Sequence, residues 1–169
     1  MPATAAEWND KYRAEGDAAA SEPAGFVQEL LPLLPMGPAL DVACGSGRHT
    51  LLLASRAQAV TAVDQSAAAL EILERRARGA GHAVTRMQRW SATSRAGIRL
   101  WQADLAHVAM PVNAFVLILC VNYLQRSLFA QMERARADAG RRVAVRDVHS
   151  GAAGIFGRTA ESGIFAGER

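Results

Sequence analysis

The chain has 169 residues, of which 50% are hydrophobic, 21% charged and 6% aromatic, and its formal net charge is +3. Those values fit one globular domain with a single sizeable core. They exclude a membrane-spanning helix, which needs roughly 18 consecutive apolar residues: the run Ala114 to Val121 is far too short, and residues 1–20 lack a signal peptide's basic start and apolar stretch. A cytoplasmic protein is the expectation. Cys44 and Cys120 lie far apart with no Cys-x-x-Cys spacing, so neither a disulfide framework nor a zinc site is indicated. His49, His82, His107 and His149 show no metal-ligand spacing, and no metal is assigned. Lys11 is the sole lysine; arginine beside abundant alanine reflects GC-rich coding as readily as an anionic partner.

Trp8 and Tyr12, four residues apart, share one face of a predicted N-terminal helix. Phe26, Leu30, Leu31, Leu33 and Leu34 form a helical apolar stripe that stops at Pro35, Gly37 and Pro38. Ala39 to Cys44 reads as a buried first strand, and helix resumes from Thr50 to Ala57 after Gly45 and Gly47. A second strand spans Ala59 to Val63 and is ended by Asp64. Ser66 is placed to cap an amphipathic helix over Ala68 to Arg78, which Gly79 and Gly81 terminate. His82 to Gly97, polar, arginine-rich and without period, is expected to be a long loop or irregular insertion. A third strand follows at Ile98 to Ala103 and a fourth, almost wholly apolar, at Ala114 to Val121. Ser127 to Asp138 gives a helix and Arg141 to Arg146 a fifth strand. Alternating helices and strands of this kind predict an α/β protein with a mostly parallel sheet.

Chemistry concentrates in Asp41-Val42-Ala43-Cys44-Gly45-Ser46-Gly47, followed 17 residues after Gly47 by Asp64. Glycines let a backbone approach a ligand closely, and an acid ending the second strand can accept hydrogen bonds from both hydroxyls of a ribose. A dinucleotide fingerprint would require glycine where Thr50 stands. Asp41, just before the loop, would repel a pyrophosphate and suit a cationic ligand. S-adenosylmethionine carries a sulfonium and an ammonium and no phosphate. An NAD-linked oxidoreductase is disfavoured on both counts.

At these residues the sequence resembles the class I S-adenosylmethionine-dependent methyltransferases, whose first motif is an acid followed by alternating glycines; Ala43 replaces the first of them. The resemblance implies a Rossmann-like three-layer α/β/α fold and S-adenosyl-L-methionine as cofactor. It places Asp41, Ala43, Gly45, Ser46, Gly47, Arg48, Asp64, Gln65, Asp104, Leu105 and Val121 around the cofactor, with Asp64 at the ribose and Asp104 at the adenine amino group. Within the superfamily the likeness is to small tellurite-resistance-type methyltransferases, carried by Trp8-Asn-Asp-Lys-Tyr12, Gly47-Arg48-His49 and Val121-Asn122-Tyr123-Leu124. Trp8 and Tyr12 are then candidate lid residues, and Asn122 and Tyr123 candidates for the substrate side. No catalytic base is named, since the leaving group is already activated.

The resemblance covers about residues 7–138 and stops after residue 139. Residues 1–37 read as a helical lid region, 38–140 as the cofactor-binding core and 141–169 as an atypical tail. From Val145 the tail fits neither strand nor helix. Back-translated and read one nucleotide later, Val145 to His149 can encode Tyr-Glu-Thr-Phe-Thr, and Glu161 to Ala166 Asn-Pro-Ala-Phe-Leu-Leu, both family-like. A frameshifted tail, leaving the sheet incomplete at its C-terminal edge, is the expectation. The function expected is methylation of a small molecule. Two alternatives stand beside it. One is a nucleic-acid methyltransferase, favoured by the arginines between Arg75 and Arg99 but lacking the Pro-Pro that precedes the aromatic of base-amino enzymes. The other is a non-catalytic cofactor-binding remnant.

Overall fold

A computed structural model describes residues 3–19, 21–56, 58–90, 95–123, 125–135, 142–146 and 153–156. Its strands are β1 (Ala39–Val42), β2 (Ala59–Asp64), β3 (Val84–Met87), β4 (Gly97–Gln102), β5 (Leu117–Val121), β6 (Arg142–Arg146) and β7 (Ala153–Phe156). They form one sheet in the order β3-β4-β2-β1-β5-β6-β7. Every pairing is parallel except β6 with β7. The helices are α1 (Ala5–Glu15), α2 (Gly25–Leu30), α3 (Arg48–Ala54), α4 (Ala67–Gly79) and α5 (Phe129–Ala135).

The central strands are apolar because both of their faces are covered: β1 and β5 are buried at every position. On one face Leu53 of α3 and Leu70, Leu73 and Ala77 of α4 pack with Val60, Leu100 and Leu119. On the other, Leu128 just before α5 and Met132 within it pack with Val63, Trp101, Phe115 and Ile118. Helix, sheet and helix therefore form the three layers of a Rossmann-like fold, as the sequence leads one to expect. The Ser66 side chain accepts the Ala69 N–H and so caps α4, also as expected.

Three expectations are corrected. His82 to Gly97 is not loop throughout, since β3 lies inside it. This strand pairs on one side only, with Val84 opposite Ile98 and Met87 opposite Trp101. An edge strand has no second neighbour and one open flank, so its Thr85 and Arg86 remain exposed and leave no apolar run to read. The helix predicted from Phe26 to Leu34 breaks at Leu30 into a 3-10 turn over Leu31–Leu33, with Pro32 in its first turn. The segment from Val145 onward contains β7, antiparallel to β6 with Val145 opposite Gly154. The predicted fifth strand is present as β6. Part of the helix predicted to Asp138, and most of the tail, lie outside the described residues.

Sheet order reverses at β1: the chain moves from β1 to β2 and β4 on one side and returns to β5 on the other. In open α/β sheets the crevice at the carboxyl ends of the strands flanking such a reversal is where ligands bind.

Candidate cofactor site

The loop between β1 and α3 owes its shape to backbone conformations most residues avoid. Gly45 and Gly47 have φ of 55° and 84°, and Ala43 has φ of 52°. For alanine this left-handed conformation costs about 1–2 kcal/mol. The substitution of Ala43 for the family's glycine is therefore not neutral, as it would be with ordinary backbone angles. Space is as tight as conformation: a Cβ on Gly45 would strike the Tyr12 hydroxyl, and one on Gly47 would strike the Leu73 side chain.

Neighbouring elements fix this loop by hydrogen bonds. The Gly47 N–H donates to the Cys44 carbonyl at 3.0 Å, and the Arg76 guanidinium donates to the Ser46 carbonyl at 2.8 Å. Asp64 at the end of β2 accepts the Gly45 N–H on Oδ2 and the Ser66 N–H on Oδ1, each at 2.8 Å. Burial raises the Asp64 pKa, against the pull of those N–H groups. A carboxylate has about four acceptor positions. Backbone N–H groups of Gly45, Ser66 and Gln65 all face this carboxylate, and Asp64 lines the pocket with what remains.

That pocket, about 420 Å3, lies at the carboxyl ends of the strands. Its volume falls within the range of small-molecule and cofactor sites. Of the eleven residues expected around the cofactor, Ala43, Gly45, Ser46, Arg48, Asp64, Gln65, Asp104, Leu105 and Val121 line it. So do all four residues expected on the substrate side, Trp8, Tyr12, Asn122 and Tyr123.

Asp41 and Gly47 are not on the wall. Asp41 is 1% exposed and lies behind the loop, where Oδ2 accepts the Thr50 hydroxyl at 2.6 Å. Burial raises its pKa to about 7, the Thr50 hydrogen bond opposing. In this structure Asp41 is set behind the loop rather than on the pocket wall, and its hydrogen bond to Thr50 ties the end of β1 to α3. Thr50, which argued against a dinucleotide by not being glycine, has a positive role as the partner of Asp41. Gly47 acts through backbone geometry, as the residue that opens α3 over Leu73.

Asp104 lines the pocket with its carboxylate turned to its own loop: Oδ1 accepts the Ala106 N–H at 2.9 Å and Oδ2 meets His107 Nδ1 at 2.8 Å. Those hydrogen bonds hold its pKa below the usual carboxylate range. Across the pocket Asn122 has φ of 60°, a conformation asparagine tolerates, and the Tyr123 hydroxyl donates to Gln125 Oε1.

Sequence reasoning did not assign several wall residues. Lys11, beside Trp8, pairs with Glu15 at 3.9 Å and lies 4.8 Å from the centre of the Trp8 ring. His49 is buried and accepts the Ala24 N–H on Nε2 at 3.1 Å, which joins the start of α2 to α3. Burial, assisted by Arg48, lowers its pKa to about 4. Cys44 and Cys120 are buried free thiols. Burial pushes Cys44 well up and Cys120 up to about 12. The i, i+4 spacing of Lys11 and Glu15 with Trp8 and Tyr12 was the available signal for this helix face.

These residues fit S-adenosylmethionine: a glycine backbone closed to any side chain, an acid at the end of β2 on the pocket wall, and apolar walls at Leu105 and Val121. Among the described residues no cluster of three or more His, Cys, Asp or Glu could hold a metal, and no helix is long and apolar enough to cross a membrane.

Comparison with known proteins agrees. A family model described as a methyltransferase domain matches residues 39–144. No curated protein matches the chain. Many solved structures share the fold. One, from Methanococcus maripaludis, is described as an S-adenosyl-L-methionine-dependent methyltransferase, with TM-score 0.61 and 14% identity over 87% of this chain and 67% of that one. Another is phosphoethanolamine N-methyltransferase 1 of Haemonchus contortus, in complex with phosphoethanolamine and S-adenosylhomocysteine, with TM-score 0.53 and 19% identity over 86% of this chain and 33% of that one. A third is the [4+2]-cyclase SpnF, with TM-score 0.56 and 22% identity over 72% of this chain and 42% of that one. The chain spans between 33% and 67% of the length of the first four such structures. With the family model matching more than half of its residues, the chain belongs to the methyltransferase domain family.

Proposed function

We propose that this protein binds S-adenosylmethionine at the carboxyl ends of β1, β2 and β4 and directs its methyl group to a small-molecule acceptor beside Asn122 and Tyr123. The observation that carries the reading is the Asp64 carboxylate, at the end of β2 on the pocket wall and fixed by backbone N–H groups of Gly45 and Ser66. When bound, S-adenosylmethionine supplies a methyl group already activated by its sulfonium. Asp64 would hold the ribose, Asp104 and Leu105 the adenine end, and the backbone of residues 43–48 the amino-acid end. Trp8 and Tyr12 would exclude water from above. Positioning and desolvation then supply much of the catalysis, and no side chain is assigned as a base.

The finer likeness to the tellurite-resistance type rests on Trp8, Tyr12, Arg48, Asn122 and Tyr123 all facing one pocket. Residues 1–37 would serve as its lid region and 38–140 as its core. The frameshift reading of the tail is compatible with a family match that ends at residue 144. Its test is the coding DNA: read one base later from about codon 140, it should continue into a longer methyltransferase C-terminus, and an immediate stop would refute it. A cytoplasmic location is part of the same proposal.

Calorimetric titration of the full chain with S-adenosylmethionine and, separately, NAD tests the function. Binding of the first alone, lost in Asp64→Ala, is expected. A folded chain that takes neither, or prefers NAD, would overturn it. A second reading, a cofactor-binding protein without methyl transfer, is favoured by the left-handed Ala43 in the loop. Affinity without turnover across acceptor panels would support that reading instead.

A further inference from the structure

Helix α1 contributes Trp8, Lys11, Tyr12 and Glu15 to the pocket wall, yet none of its residues is fully buried. It packs against α4, and polar contacts to that helix help decide where it sits. Asn9 supplies two of them: its Oδ1 accepts the Ser66 hydroxyl at 2.8 Å and the Ala68 N–H at 3.1 Å. Ser66 is the N-cap of α4 and Ala68 lies in its first turn, where backbone N–H groups have no partner within the helix. One is capped by Ser66 itself, through Ala69, and a second by Asn9 from another helix. The same Ser66 donates its backbone N–H to Asp64. A continuous line of hydrogen bonds thus runs from α1 through Asn9 and Ser66 to Asp64 and Gly45.

Resting on the methyltransferase reading above, we infer that Asn9 is a positioning residue: the latch that holds α1 closed over the cofactor pocket by joining it to the turn that carries Asp64. Trp8 and Tyr12 flank Asn9 on α1, and the Tyr12 hydroxyl fills the space a side chain at Gly45 would need. Releasing Asn9 frees α1 to move and uncovers the loop. Because Asp64 and the latch share one turn, a ligand held by Asp64 steadies the latch and a closed latch strengthens binding by the same factor; with the pocket covered, the ligand also leaves more slowly. Asn9 uses only its acceptor oxygen, so aspartate at this position keeps both hydrogen bonds, and a carboxylate is favoured at a helix N-terminus.

The test compares Asn9→Ala and Asn9→Asp with the unmodified full chain. Two quantities are measured: amide hydrogen exchange without ligand, and the dissociation rate of S-adenosylhomocysteine. Asn9→Ala should speed exchange of the α1 amides and ligand release by about tenfold each, the size expected for two hydrogen bonds. Amides of β1 and β5 should be unchanged, and Asn9→Asp should stay within about threefold of the unmodified chain. Unchanged α1 exchange in Asn9→Ala would overturn the latch. So would Asn9→Asp behaving like Asn9→Ala, or β1 and β5 exchanging faster in step with α1. If the unmodified chain binds no S-adenosylhomocysteine, the functional reading fails, while exchange in α1 still decides the role of Asn9.

Discussion

Asp64 and Gly45 are joined at 2.8 Å by a hydrogen bond from backbone N–H to carboxylate, across 19 residues of chain. It couples the end of β2 to the loop after β1, so the acid that would grip a ribose also shapes the loop that would admit the rest of the ligand. Asp64→Ala removes both at once. Each charge-assisted hydrogen bond is worth roughly 1.5–3 kcal/mol, so affinity for S-adenosylmethionine should fall about a hundredfold or more. Calorimetry is the measurement; a loss under threefold would remove Asp64 from the site.

Ala43→Gly should stabilise the chain. Relief of the left-handed strain, about 1–2 kcal/mol, exceeds the added chain entropy of glycine, about 0.5–1 kcal/mol. A net gain of about 0.5–1 kcal/mol is expected in urea unfolding. A lower unfolding midpoint would mean that Ala43 does not hold its left-handed conformation.

Gly47→Ala should destabilise by about 2 kcal/mol or more, since it combines φ of 84° with a clash against Leu73. Shortening Leu73 to alanine removes the clash and leaves the strained backbone. In the double variant the two costs should therefore fall short of their sum by about 1 kcal/mol. Strict additivity would show that Leu73 does not constrain the loop.

His49 sets a pH dependence of stability. Its folded pKa of about 4 lies below the unfolded value near 6.5, so the unfolded chain takes up the proton first. The stabilisation is full above about pH 6.5 and is lost as pH falls toward 4, by about 3 kcal/mol at most. His49→Gln should lack this component. Identical acid sensitivity of the two chains, followed by urea unfolding from pH 7 to 4, would refute the assignment.

Asp41 acts in the opposite direction. Its folded pKa, raised to about 7 from 3.8, makes the folded chain hold the proton more tightly. Its contribution to stability is full below about pH 4 and declines as pH rises through 7. Relative to the unmodified chain, Asp41→Asn should therefore gain stability from pH 5 to pH 8, by on the order of 1 kcal/mol or more. A constant difference over that range would show that Asp41 does not titrate in it.

The strands with two covered faces were legible because burial on both sides leaves an unbroken apolar run, as in β5. Asp64 and the glycine loop were legible because their chemistry is set by spacing along the chain. β3 was hidden: one flank of it is open, and Arg86 answers Glu74, 2.6 Å away on α4, rather than an apolar core. Asn9 was hidden for a related reason, since its partners at Ser66 and Ala68 lie nearly 60 positions away and helical periodicity says nothing of them. The depth of Asp41 could not be read either. An acid at the end of a buried strand has the same place in sequence whether it faces the ligand or lies beneath the loop.

The buried thiols bear on how the motion of α1 can be watched. Maleimides react with thiolate at accessible sulfur, and Cys44 and Cys120 offer neither, being buried with raised pKa values. A cysteine introduced at exposed Arg13, on the solvent side of α1, would then carry a fluorophore alone, with no native residue to be removed first. The protein is in this sense already prepared for single-site labelling, and the opening of its N-terminal helix can be followed by light in the otherwise natural sequence.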